Sequence, residues 1–290
     1  TRIRVNILPM AIGMFVPWLL FDVVAAMMSF QMHHVAPVAC LAIFIALLVV
    51  IGVLTLIELM KVYRSWAKSM SKGSANGSGP NWYFVMLALS ILAVLLGVAL
   101  GDRNYWMNMQ PYFDVLDMDS YTGVDVVRTR GSELMDAARV TFKPQTRLDL
   151  KRSLGFRNQD TYCVAPITSS INDVTVGLKV YDFWAVGKNC CSGAPGDFRC
   201  DAYSHPGVHG GMRVMRDEDR EFYRMAVQQA ESVFAIKASH PLFFHWVADP
   251  DVSAYEKRRD GFKYYLTMIL AYFAFQLAVV SGAVYYFHFL

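Results

Sequence analysis

The apolar positions of this chain are gathered into four long blocks, which are separated by segments richer in charged and polar residues. The blocks lie at residues 7–30, 35–60, 82–100 and 263–290, and the second is apolar on every side. At about 1.5 Å per residue, each block is long enough as a helix to cross a hydrocarbon core of about 30 Å. The pattern predicts a polytopic α-helical membrane protein with four transmembrane helices.

Two of these blocks contain a strongly polar residue away from their ends, Asp22 in the first and Gln276 in the fourth. A carboxylate inside hydrocarbon costs about 2.5 kcal/mol or more on insertion scales, so Asp22 should face protein or water. One interpretation is that both residues form hydrogen bonds between helices for assembly. The alternative is that Asp22 lies on an ion or proton path.

The short connections between the blocks predict the orientation. Segment 61–81 is basic, the N-terminal tail carries Arg2 and Arg4, and such segments stay on the cytoplasmic side, or on the stromal or matrix side in an organelle. Both termini are then cytoplasmic, and segment 101–262 is exoplasmic or lumenal. The Asn76-Gly-Ser sequon lies in the basic loop and should remain unglycosylated.

The composition agrees with this architecture. Hydrophobic residues make up 55% of the chain and charged residues 18%, which argues against a simple soluble globule and against intrinsic disorder. The net charge of +3 is too small to indicate nucleic-acid binding. We expect membrane lipids and other integral membrane proteins as partners, most simply in a hetero-oligomeric complex.

Segment 101–262 is long enough to bury a core of its own, and its patterns predict a mixed α/β domain. Residues 132–138 are weakly helical, 174–186 alternate as a strand does, and 217–238 form an amphipathic helix. The expected buried stripe of that helix is Phe222, Met225, Ala226, Val233 and Phe234. The Asp249-Pro-Asp sequence that follows indicates a chain reversal.

Four of the five cysteines, Cys163, Cys190, Cys191 and Cys200, lie in this outer segment. An even number suggests two disulfides, and the pairing of the adjacent Cys190 and Cys191 is strained. We therefore expect one bridge to close the short loop from Cys191 to Cys200, and the other to join Cys163 to the remaining member of the pair. Disulfides imply an oxidising compartment.

A metal site is the alternative use of the same segment. Cys190, Cys191 and Cys200 are followed by His205 and His209, a spacing that zinc loops can use, although it matches no standard finger. We favour disulfides over zinc and expect no cofactor, with contacts to lipid or pigment left open.

No motif of a known reaction centre is present. The chain has no G-x-S-x-G elbow, no H-E-x-x-H, no Walker loop and no dinucleotide fingerprint. We therefore expect a protein that is not an enzyme.

The arrangement resembles that of the tetraspanins, which have four crossings, a short first outer loop and a large second outer loop with a Cys-Cys pair. The best local match is Asn189-Cys190-Cys191-Ser192-Gly193, where the family has Cys-Cys-Gly without the extra serine. The resemblance implies a surface organiser that acts through protein contacts.

These observations favour a non-catalytic accessory or assembly subunit of a larger membrane protein complex, for example in an energy-transducing membrane, whose outer domain contacts other proteins. The alternatives are a tetraspanin-like surface organiser and a small transporter or channel that uses Asp22.

Overall fold

The computed structural model describes residues 7–72, 82–171 and 174–289. Arg2, Arg4 and the Asn76 sequon, on which part of the predicted orientation depends, lie outside these residues. The chain divides into two compact units, one formed by Thr1–Gln110 with Arg258–Leu290 and the other by Pro111–Lys257. We call them the helix unit and the sheet unit.

Four helices are long and apolar enough to cross a membrane. They are α1 (Ile7–Ser29), α3 (Pro37–Lys72), α4 (Trp82–Asn104) and α7 (Pro250–Phe289). Two short helices lie between or after these long ones. Helix α2 (Gln31–Val35) connects α1 to α3, and α5 (Gln110–Leu116) follows α4 after a π-helical turn at Tyr105–Met109.

The last long helix begins 13 residues earlier than its apolar block, at Pro250 instead of residue 263. Asp249 caps it, because its Oδ1 accepts hydrogen bonds from the backbone N–H groups of Asp251 at 2.9 Å and Val252 at 3.2 Å. Pro250 occupies the first helical position, where its missing N–H is not needed. The Asp-Pro-Asp sequence therefore starts a helix, and its interpretation as a chain reversal is wrong.

The sheet unit contains a mixed nine-stranded sheet and one long helix, in agreement with the predicted mixed α/β character. Seven strands follow the order β1-β2-β8-β9-β7-β5-β3, while β4 and β6 pair with β5. The pairs β1–β2 and β7–β9 are parallel, and the others are antiparallel. The strands are β1 (Asp119–Val124), β2 (Ala137–Phe142), β3 (Thr146–Leu148), β4 (Leu154–Asn158), β5 (Asp160–Ile171), β6 (Val174–Thr175), β7 (Phe183–Lys188), β8 (Gly210–Arg213) and β9 (Leu242–Val247).

Successive residues of the central strands enter two different cores, as the alternation of a strand requires. Phe243 and Trp184 pack with α6 (Asp217–Phe234) in one core. Phe244 and Phe183 pack in the other, which also contains Cys163 and Cys200. The sheet is thus buried on both faces.

Three local predictions for this unit fail in whole or in part. In the 174–186 stretch, the strands are limited to β6 at Val174–Thr175 and the start of β7 at Phe183. The 132–138 stretch is not an α-helix: Gly131–Glu133 forms a single 3-10 turn, and β2 begins at Ala137. In α6 the buried residues are Tyr223, Ala226, Val227 and Ala230, whereas Met225 and Val233 are exposed. Ala226 is buried as expected, and Phe222 and Phe234 are partly buried against the same core.

Candidate functional site

The helix unit is organised around α1, which contacts α4 on one side and α7 on another. Against α4 the contact is close because the facing residues are small. A Cβ atom at Gly101 would lie 2.7 Å from the Met28 Cβ and 2.9 Å from the Ala25 carbonyl oxygen, and one at Gly97 would touch Val24. The Gly97-x-x-x-Gly101 spacing was visible in the sequence but had not been used to predict this contact.

The contact between α1 and α7 is aromatic instead. The rings of Phe21 and Tyr272 stack with centroids 4.1 Å apart, and Trp18 meets Phe273 edge-on at 5.3 Å. Tyr272 also reaches α4, where its hydroxyl donates to the Leu89 carbonyl oxygen at 3.4 Å. Large rings therefore tie the three helices together.

Asp22 directly follows Phe21 on α1 and has a hydrogen-bond partner on α7. The Tyr265 hydroxyl donates a hydrogen bond to the Asp22 carboxylate. The Asp22 side chain is half-buried. The carboxylate that the sequence singles out is therefore held by a neighbouring helix, as the assembly interpretation requires.

Gln276, the second predicted polar residue, is fully buried, and its Nε2 donates to the Gly13 carbonyl oxygen on α1 at 3.1 Å. Its Oε1 has no hydrogen-bond partner among the described residues, and neither has the buried Trp18 Nε1. Asp22 and Gln276 thus both join α1 to α7, but through separate bonds.

A third group of polar contacts lies where α4 passes into the π-helical turn. Asn104 is fully buried, and its Nδ2 donates to the Gly261 carbonyl oxygen of α7 at 3.0 Å. Asn108 Nδ2 in turn donates to Asn104 Oδ1 at 2.9 Å. A ring nitrogen of His34 lies 3.1 Å from the Tyr105 hydroxyl. π-Helical turns often occur at functional sites, and this one was not predicted from the sequence.

All four cysteines of the sheet unit form disulfides, Cys163 with Cys191 and Cys190 with Cys200. The prediction of two disulfides is confirmed, but the loop closed by the shorter one starts at Cys190 and not at Cys191. Two glycines leave room for the sulfur atoms. A Cβ at Gly155 would lie 2.7 Å from the Cys191 Sγ, and one at Gly187 would lie 2.6 Å from the Cys190 Sγ.

The histidines of the zinc alternative do not join this cluster. In the described parts of the chain, one group of metal-ligating atoms is close enough to share an ion, the sulfurs of Cys163, Cys190 and Cys200. Sulfur ligands for zinc are thiolates, and the disulfides remove them. His205 instead lines a small pocket beside Trp246.

His209 directly precedes β8, and its Nδ1 is 3.2 Å from the carbonyl oxygen of Thr146, the first residue of β3. Burial lowers the pKa of His209, the nearby Arg147 charge lowers it further, and the Thr146 carbonyl opposes both. His209 is therefore a structural residue of the sheet and contributes no ligand to the sulfur cluster.

Comparisons of this chain with protein-family models, with curated proteins and with solved structures found no match. The tetraspanin resemblance accordingly stays a prediction.

Proposed function

We propose that this chain is a multi-pass membrane protein that acts as a non-catalytic accessory or assembly subunit of a larger membrane protein complex. The observation that carries the proposal is a stripe of small residues on α7 that nothing in the described part of the chain fills. The stripe consists of Ala271, Ala274, Ala278 and Gly282.

All four residues of this α7 stripe are exposed, and their spacing of three and four places them on one helix face. A Cβ at Gly282 would have nothing within 4 Å. The same kind of spacing on α4, at Gly97 and Gly101, is filled by α1. Small residues let membrane helices approach closely, so the α7 stripe suits a helix of a partner protein.

The exposure of α3 supports the same proposal. Only 11% of its apolar span is buried within the chain, against 39% for the span Val85–Leu116. Lipid and partner helices together would cover the exposed Leu, Ile and Val side chains of α3.

The hydrogen bond between Tyr265 and Asp22 favours assembly over transport, because it uses the carboxylate to join two helices. It supports a subunit whose own helices are fixed and whose outward faces are left for partners. An organiser of the tetraspanin kind would use the same faces.

The proposed orientation places both termini and the basic loop on the cytoplasmic side, and the sheet unit on an exoplasmic or lumenal side. The two disulfides of the sheet unit support an oxidising surrounding for it. Under this orientation the Asn76 sequon stays unglycosylated, while a sequon engineered into an exposed loop of the sheet unit is modified in a glycosylating membrane. The reverse pattern would overturn the orientation.

The function is tested by extraction from the native membrane in a mild detergent, size separation and mass spectrometry. We expect the wild-type chain to migrate with a stoichiometric set of integral membrane proteins. Gly282→Leu should release these proteins, because leucine fills the α7 stripe.

The matched control for this variant is Ala99→Leu. Ala99 is an exposed small residue of α4 that is flanked by Leu95 and Arg103 instead of by a small-residue stripe. This variant should keep the partners. A wild-type chain that migrates as a monomer or homo-oligomer would contradict the proposal.

A further inference from the structure

Arg213, the last residue of β8, is a buried cation without a matching carboxylate. The residue is only 8% exposed. Its Nη1 donates to two backbone carbonyl oxygens, those of Leu134 and Ala137, both at the long distance of 3.4 Å. Its guanidinium carbon lies 5.9 Å from the centroid of the Phe244 ring. In the described residues Arg213 forms no ion pair, which is unusual because buried charges are normally paired.

The surroundings of Arg213 supply little opposite charge. Burial lowers the pKa of the Arg213 guanidinium, the charge of Arg220 lowers it further, and Asp136 raises it. The positive charge of Arg220 thus partly cancels the stabilisation that the Asp136 carboxylate gives to the charged Arg213. An additional anion beside Arg213 would be stabilised by its guanidinium group.

Arg213 lines an open cleft of about 420 Å³ between α6 and β9, within the sheet unit. Arg220, Arg224 and His240 line the same cleft, together with Leu242 and Phe243 of β9. The volume is within the range of small-molecule sites, which combine apolar walls with a few polar groups.

Two acidic residues, Asp217 and Glu221, also line the cleft. Asp217 is bound by Arg220, three residues along α6, and its side chain is 83% exposed. Glu221 is exposed on the same helix. Arg224, one turn after Arg220, forms no ion pair among the described residues. The cleft therefore presents two guanidinium groups, those of Arg213 and Arg224, that form no ion pair with any described carboxylate.

We infer that this cleft binds a small organic anion through a carboxylate or phosphate group, held by Arg213 and Arg224. A guanidinium donates two parallel N–H bonds to either group, which makes arginine suited to both.

The experiment is a calorimetric titration of the full chain in an uncharged detergent, at constant ionic strength. Inorganic phosphate and succinate are titrated separately, since saturation by one or the other identifies which anionic group the cleft takes. Saturable binding of either anion supports the inference. Saturable binding of neither anion overturns it.

Three variants locate the binding. Arg213→Gln should weaken it about 10-fold or more, the value of a charged hydrogen-bonding partner removed from a buried site. Arg224→Gln should weaken it about 3-fold to 10-fold, because Arg224 is exposed and its charge is partly screened. Arg128→Gln, at an 86% exposed side chain that does not line the cleft, should leave the affinity unchanged.

Circular dichroism of each variant distinguishes lost binding from lost folding. If Arg213→Gln does not fold, the exposed Arg224→Gln carries the test by itself. An affinity equal to that of the wild type in Arg224→Gln would overturn the inference.

Discussion

The helix unit exposes the residue types that the sheet unit buries. Val38 and Leu270, in the helix unit, are 78% and 67% exposed, whereas Phe244 and Trp246 of the sheet unit are at most 2% exposed. An apolar exterior is stable only against an apolar solvent, and a buried apolar core is what water favours. The exposed side chains of the helix unit are therefore suited to contact with hydrocarbon, whereas the buried core of the sheet unit is suited to water.

The two units also treat buried polar groups differently. In the sheet unit the buried carboxylate of Asp182 accepts three backbone N–H bonds, from Gly131 at 3.0 Å, Ser239 at 2.9 Å and His240 at 3.0 Å. In the helix unit the backbone N–H groups are used inside the helices, so Asp22 is held by a side-chain hydroxyl instead. Loops supply backbone donors that long helices lack.

The disulfides of the sheet unit should give the largest effect. Replacing Cys163 and Cys191 by serine should lower the free energy of unfolding by about 3.5 kcal/mol, and replacing Cys190 and Cys200 by about 2.5 kcal/mol, because the first bridge closes the longer loop. The sequence separations are 28 and 10 residues. Chemical denaturation followed by tryptophan fluorescence measures both. An equal loss, or a larger one for the second pair, would contradict the loop-length argument.

A smaller effect is expected for close packing in the helix unit. Gly101→Val should destabilise the helices by about 2 kcal/mol, the usual cost of overpacking, since its side chain would meet Met28 and the Ala25 carbonyl. Thermal unfolding in detergent measures the loss. Gly52→Val is the control because a Cβ there meets nothing within 4 Å. Equal melting of the two variants would show that the α1–α4 contact is not tight.

Removing one interhelical hydrogen bond should cost less. Tyr265→Phe leaves the ring in place but removes the donor to Asp22, and we expect a loss of about 1 kcal/mol. Asp22→Asn, which keeps a side-chain oxygen to accept the bond, should be milder. Thermal unfolding in the same detergent compares the two. A transport activity that Asp22→Asn abolishes without a change in stability would instead favour the ion-path interpretation.

The smallest effect concerns pH and again belongs to the sheet unit. The pKa of His209 is lowered in the folded state, so the unfolded chain binds a proton first as the pH falls. The stability contribution of neutral His209 is therefore complete above the unfolded pKa of about 6.5 and is lost as the pH falls through the folded value. His209→Gln should make the melting temperature depend less on pH below about pH 6.5. An unchanged pH profile would show that His209 does not titrate with folding.

Much of the fold follows from contiguous stretches of sequence. The four apolar helices were predicted because hydrophobic length is a property of one window of residues, and α6 because its period is regular. The boundaries were harder to predict. The extension of α7 depends on the Asp249 cap and on Pro250, which resemble a turn signal when they are seen without their hydrogen bonds.

Four helices able to span a membrane, a mixed α/β segment between the third and fourth, and two disulfides could all be predicted from the residues alone. Which residues contact one another could not, because it depends on the tertiary structure. Gln276 and Gly13, which are joined by a hydrogen bond, are separated by 263 residues. Cys163 forms its disulfide with Cys191 and not with the adjacent Cys190. Among the described residues Arg213 forms no ion pair, and no local pattern indicated this. A local pattern fixes how much apolar surface a segment must bury, but partners distant in sequence are selected by the packing of whole elements.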